Sequence, residues 1–484
     1  MPAAAPDFDV AIAGGGIAGL GCGALLAEEG LRVLVVEQDG WLGGRAASWR
    51  DEATGDMADI GPHVITTEHR NFMALLERLG TAGQVLWQRQ PLITLCDAGQ
   101  ALHMPASSLP PPLHGLPLAP NALRRISLLD GLSHWRLAWR AARLDEAATL
   151  ALDAEDAAGY LRRMGVRERA IDWFWRSAML ALLNVPLERC SAASMMRIVR
   201  LAMGRSGYCF GLPEVGLSQL FAPGCVERIE RAGGAVRTGV RVQAVHSACG
   251  AFSGFALQDG TAVTAQRGVL ALPPQAVAAL ATGSGLPALA SLASIAGRFE
   301  PSPYISTYLW FDRPVTTERF WARVWNPRDL NTDFYDLSNI RPGLKGGPAL
   351  VACNAIYTRE EMAWSDADIV DKTRREIVDF APPAAQARLV HARVHRVPMA
   401  IPCPLPGTET LRPPNATDLD GLWLAGDWTA TQVPCSMESA ARSGALAAED
   451  VLARLGRPRQ LAIPAPETTG MVALLRRRSR TIGA

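Results

Sequence analysis

Residues 14–19 read Gly-Gly-Gly-Ile-Ala-Gly, the spacing G-x-G-x-x-G, and the acid Glu37 follows within one βαβ length. Gly14 permits a tight turn, Gly16 lets the backbone approach a pyrophosphate, and Gly19 lets helix and strand pack closely. Glu37 can accept hydrogen bonds from ribose hydroxyls, and its charge disfavours the 2′-phosphate of NADP, while NAD and FAD both fit. These residues need a strand over 9–13, a helix over 20–30 whose N-terminus attracts the phosphates, and a second strand over 31–36.

A second acid lies near the other end. Residues 421–427 read as a buried strand closing in Gly426-Asp427. Gly426 allows close backbone approach, and Asp427 can accept from the hydroxyls of a sugar chain. A loop over 428–435 leads into a helix running to about 455, with small residues Ala440, Ala441, Gly444, Ala447 and Ala448 on the side expected to meet the sheet. Backbone N–H groups near Met437 and Glu438 can stabilise negative charge on a bound ring. The Glu438 side chain is either part of that chemistry or a plain carboxylate at a helix N-terminus.

The chain has 484 residues, enough for two or three packed units. Hydrophobic residues at 49% and charged residues at 20% exclude a disordered chain. Lys+Arg of 48 against Asp+Glu of 47 gives no support for a nucleic-acid partner. The nine cysteines are odd in number with no C-x-x-C pair, which argues against a disulfide framework or metal site and for a reducing compartment; Cys435 is expected to be an apolar filler. Apolar stretches 10–27, 98–123 and 268–297 are interrupted by glycine, proline or serine, so the expectation is a cytoplasmic protein, soluble or peripheral on the membrane face.

Between the two motifs, 217–231 reads as a helix kinked at Pro223, 235–245 as a strand broken at Gly239, and 269–272 as a strand closed by Pro273-Pro274. Periodic apolar faces predict helices over 122–144, 154–163 and 170–183. Six prolines in 104–120 forbid a helix interior and leave an apolar loop, which reads as a lid, a membrane-touching edge or a packed surface loop. Residues 304–311 and 349–356 read as strands flooring a substrate cavity. The tail includes a short Arg-rich run, 471–478, that reads as either an amphipathic anchor or a solvated tail.

Gly40-Trp41-Leu42-Gly43-Gly44-Arg45 resembles the G-x-x-G-G-R segment of flavoproteins related to amine oxidases and phytoene desaturases. The resemblance covers about residues 8–455. It implies FAD, with Gly43 and Gly44 along the pyrophosphate, Arg45 beside it or the flavin, the backbone of Val242 on the adenine, and Asp427 on the ribityl or phosphate part. It also implies an α/β fold: a discontinuous Rossmann-type FAD-binding domain (1–85, 205–275 and 415–455) and a mixed sheet-plus-helix substrate domain (helical part 86–204, sheet part 276–414), followed by a tail, 456–484.

Three segments narrow the resemblance. Asp59-Ile60-Gly61-Pro62-His63 is similar to the D-x-G-P segment of carotenoid desaturases and the D-x-G-x-H segment of hydroxysqualene dehydroxylases. Residues 181–186, Ala-Leu-Leu-Asn-Val-Pro, and Leu424 to Thr429 with Pro434 and the Met-Glu helix start are similar to the squalene-associated group, although Thr67 and Ser439 stand where that group commonly has glycine. The resemblance implies a long apolar isoprenoid substrate, first of all reductive dehydroxylation of hydroxysqualene to squalene, with carotenoid-type desaturation as the alternative. His63 is then either the proton donor to a leaving hydroxyl or a brace for its loop, and Asp59 is structural. An amine oxidase is a further alternative, weakened because the only lysines are Lys345 and Lys372 and neither lies on the 304–311 strand. A flavin-binding scaffold without turnover would carry the same glycine and acid motifs. The electron partner is left open.

Overall fold

A computed structural model describes residues 6–111, 113–465 and 468–474. Its first sheet is built on five parallel strands, Ala235–Arg237, Val33–Val36, Phe8–Ala13, Ala262–Leu270 and Leu422–Leu424. They end on one line, because Arg237 pairs with Val36, Val36 with Ala13, Ala13 with Leu270 and Leu270 with Leu424. The strands are apolar on both faces, as parallel strands covered on both sides must be: Val10 and Ile12 enter one core cluster, Ala11 and Ala13 another. An antiparallel excursion, Val242–Ala248 and Ala251–Leu257, extends the sheet from the long 262–270 strand.

Helix Ile17–Glu28 covers one face and is crossed by the last helix, Met437–Arg454. A Cβ at Gly444 would lie 2.4 Å from the Ala18 carbonyl oxygen, so the small residues of the last helix serve helix–helix contact as well as contact with the sheet. The 217–231 segment also differs from expectation. It is a 3₁₀ turn, Leu217–Leu220, then a separate helix, Ala222–Arg231, with Pro223 in its first turn, where a missing N–H costs nothing.

The second sheet runs in the order Leu389–Pro402, Pro301–Phe311, Ala349–Ile356, Asp333–Asp336, Phe320–Arg323, Ile93–Asp97, Gln100–Met104. The helical part expected over 86–204 therefore begins with strands. The missed signal is the tight turn at Ala98-Gly99, both with positive φ (49° and 76°), which joins two alternating runs into a hairpin. Helix Asp366–Phe380 covers the sheet face bearing Ile305 and Leu309. The opposite face, bearing Tyr304, Ser306, Tyr308 and Trp310, packs on the 56–64 segment: Tyr308 Oη accepts from the Asp59 N–H at 3.1 Å and the Trp310 indole N–H donates to Asp56 at 2.7 Å. Short helices over 119–204 form a separate lobe with its own core. Residues 475–484 lie outside the described part, and with them half of the expected 471–478 anchor.

Candidate functional site

The line of strand ends delivers Glu37, Gly14, Ala271 and the 425–427 turn to one carboxyl edge, where ligands bind in open parallel sheets. Backbone bonds fix the turns: Gly14 N–H donates to Val36 O (2.7 Å), Ala271 to Ala13 (2.8 Å), and Ala425 to Leu270 (2.9 Å). Gly14 has φ 109°, and a Cβ there would meet Ala271 O at 2.4 Å. A Cβ at Gly19 would lie 2.0 Å from Gly14 O, so turn and helix are in closest contact. At Gly16 the same construction meets only Gly43 O, at 3.8 Å, leaving a cradle that a side chain would fill. The helix that starts there has no side-chain cap and no acid in its first turn, so its N-terminal field stays free for an anion. Gly43, with φ 115°, donates to Gly15 O at 2.9 Å and lays the Gly43-Gly44-Arg45 turn along the same cradle.

Glu37 is buried at the strand end. Its Oε2 accepts from Gly15 N–H at 2.7 Å and its Oε1 from Asp39 N–H at 3.0 Å, and burial raises its pKa. The turn before Val242 closes against it, with Val240 N–H donating to Glu37 O (3.0 Å) and Gly239 N–H to Asp39 O (2.8 Å). Val242 therefore sits at the Glu37 end of the groove.

Arg45 and Asp427, 382 positions apart, form a two-pronged ion pair at 2.7 and 3.0 Å, and Arg45 also donates to Ala400 O at 3.0 Å. Gly426, at φ 143°, makes the turn that turns Asp427 inward. Behind it lies an arginine that no sequence motif marks. Arg412 is buried and donates to the carbonyls of Asp427 (2.7 Å), Thr429 (2.9 Å) and Val433 (2.7 Å) and to the hydroxyls of Thr431 (3.0 Å) and Ser439 (3.1 Å). It is balanced by Glu409 at 3.2 Å, which also pairs with Arg197 of the helical lobe. Burial pushes the Glu409 carboxyl up, but Arg412 and Arg197 outweigh it and hold it at about 2.

The helix at Met437 is capped by Ser436 Oγ, which accepts from Ser439 N–H, leaving the Met437 and Glu438 N–H groups as open donors of that turn. The Glu438 side chain is already engaged. It accepts from Asn71 N–H (2.8 Å), Phe72 N–H (3.1 Å) and Asn71 Nδ2 (2.7 Å), capping helix Arg70–Leu79, and burial raises its pKa to about 7. This corrects the catalytic reading: Glu438 is a positioning residue that ties two helices together.

Of the two readings of His63, the geometry matches the brace for its own loop. Its Nδ1 lies 2.7 Å from Gly61 O, which can only accept, so Nδ1 carries the proton and Nε2 is the acceptor. Burial, with Arg45 nearby, lowers its pKa. A neutral ring in this tautomer has no proton to donate from Nε2. Asp59 is structural, as expected, but binds widely: it accepts from Ser48 Oγ (2.6 Å), Leu217 N–H (2.8 Å) and Arg341 (2.5 Å). Burial pushes the Cys435 thiol to about 12, so it is inert at neutral pH.

The profile of the family described as flavin containing amine oxidoreductase matches residues 17–452. The chain belongs to that family. A 15-cis-phytoene desaturase of Solanum lycopersicum is 24% identical over 471 residues, covering 93% of this chain and 79% of the relative. A carotenoid phi-ring synthase of Streptomyces griseus is 28% identical over 506 residues, covering 97% and 92%. The solved structure of cyclohexylamine oxidase from Brevibacterium oxydans superposes with a TM-score of 0.67 at 22% identity, covering 93% of this chain and 100% of that one, and shows the same mixed α/β fold. The protein is a FAD-dependent oxidoreductase. The open cradle at Gly16, the uncapped helix start and the Arg45–Asp427 pair fit that cofactor.

Proposed function

We propose that the protein exchanges a hydride between FAD and a long isoprenoid chain, in the direction of desaturation. The observation that carries the substrate class is an apolar face on the helical lobe. Leu128, Leu129, Leu132, Trp135 and Trp139 are 62, 64, 57, 66 and 50% exposed, and Leu109, Leu113, Leu116, Leu123 and Phe174 are also exposed. Exposed apolar side chains concentrated in one stretch of chain mark interaction surfaces. Phe174 adjoins this face through its neighbour Trp175, whose indole N–H donates to His134 Nε2 at 2.9 Å. The described end of the tail adjoins it too, since a Cβ at Gly470 would meet Pro111 O at 2.9 Å, and Met471 and Leu474 are exposed there. Exposed Arg124, Arg136, Arg140 and Arg143 lie among these side chains. Apolar side chains interleaved with arginine suit an anionic bilayer, from which an insoluble substrate is drawn. Among the described residues no helix is long and apolar enough to cross a membrane, so the contact is peripheral.

The relatives' names support desaturation. Bound FAD supplies the hydride acceptor for that direction, or the donor for the reverse. Glu37 and the Gly16 cradle would hold the nucleotide half, while Arg45, Asp427 and the Met437 and Glu438 N–H groups would orient the flavin half. Dehydroxylation of hydroxysqualene is the second reading, kept by the Asp59–His63 segment; with its Nδ1 held by Gly61 O and its pKa lowered by burial, His63 is disfavoured as the acid. Amine oxidation is disfavoured, because Lys372 pairs with Glu376 at 3.1 Å on the covering helix and Lys345 follows a short turn outside the sheet.

Two measurements check this reading. Anaerobic mixing of the yellow holoenzyme with a phytoene-type polyene in liposomes should bleach the flavin, and putrescine or cyclohexylamine should not; bleaching by amines alone would overturn it. Replacing Leu128, Leu129 and Trp135 together by serine should weaken binding to anionic vesicles about a hundredfold, from about 1 kcal/mol of lost burial per side chain. Unchanged co-sedimentation would remove this face as the docking surface.

A further inference from the structure

Four polar side chains form a row across the second sheet. Ser306 stands directly opposite both His395 and Asn354, and Asn354 directly opposite Asp333. Directly paired residues share a face of a sheet, here the face packed on the 56–64 segment. Ser306 is 0% exposed, Asn354 4% and Asp333 7%. Asn354 Nδ2 donates to Pro62 O at 3.1 Å and to Asp333 Oδ2 at 2.9 Å, tying the row to the turn that carries His63. Among the described residues, Ser306 Oγ, Asn354 Oδ1, Asp333 Oδ1 and His395 Nε2 are buried without a well-aligned hydrogen bond; the Tyr335 hydroxyl faces Asp333, and the Tyr304 and Tyr308 hydroxyls face Ser306. Four polar atoms without a well-aligned bond on one row, beside the turn whose His63 feels the Arg45 charge, are a cost that packing alone does not explain.

The surroundings of Asp333 are uncharged. Tyr335 on its own strand and Tyr304 and Tyr308 on the Pro301–Phe311 strand are phenols raised by burial, and burial lowers His395. Across the turn, His63 is lowered too, and the charge of Asp59 is met by Arg341. Among the described residues no cation opposes it, so burial outweighs the hydrogen bonds from Tyr335 and Asn354 and raises the Asp333 carboxyl to about 6.

We propose that Asp333 is the acid–base group of the reaction, acting through a water held by Ser306 and Asn354, with Asn354 as its positioning residue. This rests on the hydride-exchange reading above. In desaturation one substrate C–H yields its hydrogen with two electrons to FAD. The neighbouring C–H breaks, its electron pair becomes the new π bond, and its proton passes through the water to the Asp333 carboxylate. In dehydroxylation the hydride forms a C–H bond, the C–O bond breaks with its pair, and protonated Asp333 supplies the proton that completes water.

The test is single-turnover flavin bleaching by a phytoene-type polyene in liposomes, followed across pH, together with the infrared carbonyl band of protonated carboxyls in the holoenzyme. The wild type should gain rate as pH rises through about 6, and a carboxyl band should titrate there. Asp333→Asn should lose that band and slow bleaching about a hundredfold, with no limb left in the region and FAD content unchanged. Asn354→Ala should move the limb upward, because the carboxylate loses a donor, and it carries the kinetic test if Asp333→Asn fails to fold. A limb unchanged in both variants, or abolished instead by His63→Gln, overturns the proposal while leaving hydride exchange intact. If no isoprenoid is turned over, the functional reading fails, and the infrared band alone decides whether Asp333 titrates: present and lost in Asp333→Asn, it supports the assignment; absent from the wild type, it refutes it.

Discussion

Replacing Arg412 by leucine should release the cofactor and lower stability by about 3–5 kcal/mol, because one buried guanidinium holds three carbonyls and two hydroxyls of the 427–439 segment. Leucine satisfies none of these, and among the described residues it leaves Glu409 with Arg197 as its only guanidinium partner at the lobe boundary. The turn that presents Asp427 would lose its shape, so Arg45 would lose its partner as well. Lysine should fail almost equally, since a point charge cannot span donors arranged in a fork. Flavin absorbance after gel filtration and a melting curve measure both effects. A variant that keeps full flavin content and melts within about a degree of the wild type would mean that the turn holds its shape without this hub.

Glu37→Lys should abolish FAD retention for a different reason. The carboxylate holds the first glycine turn through Gly15 N–H and its own loop through Asp39 N–H, at the edge where a ribose must lie. Lysine brings no acceptor and places a cation against both N–H donors. Occupancy should fall by a hundredfold or more in apparent affinity, about 3 kcal/mol. Glu37→Gln, which keeps one acceptor, should fall much less. Equal flavin content in wild type and Glu37→Lys would refute the placement of the nucleotide half.

How much was legible in the sequence follows from the distance over which each feature is encoded. The glycine turn, the acid at the end of the second strand, the Gly43-Gly44-Arg45 turn and the Gly426-Asp427 strand end are local: backbone geometry at a turn restricts residue type at that position, so type and spacing disclose the role. The strands over 304–311 and 349–356 were legible for the same reason, through their alternation.

The rest was decided by tertiary structure. Glu438 has the sequence position of a cofactor contact, yet it caps a helix 367 positions away in the chain, and no local pattern encodes which helix start a carboxylate meets. Arg412 lies between Leu411 and two prolines with nothing to mark it, and only burial against the 427–439 segment makes it a hub. His63 was visible as a candidate, but its tautomer, and so its inability to donate from Nε2, depends on the Gly61 carbonyl in the folded turn. The row His395, Ser306, Asn354, Asp333 draws one residue from each of four strands, so it exists only once strand order and register are set. Residue type and spacing narrowed the cofactor to a dinucleotide and marked the turns expected to meet its phosphates, and the resemblance carried by residues 40–45 implied FAD. The sheet registers and the buried ion pairs, which bring together groups hundreds of positions apart, decided which side chains are free to act on the substrate.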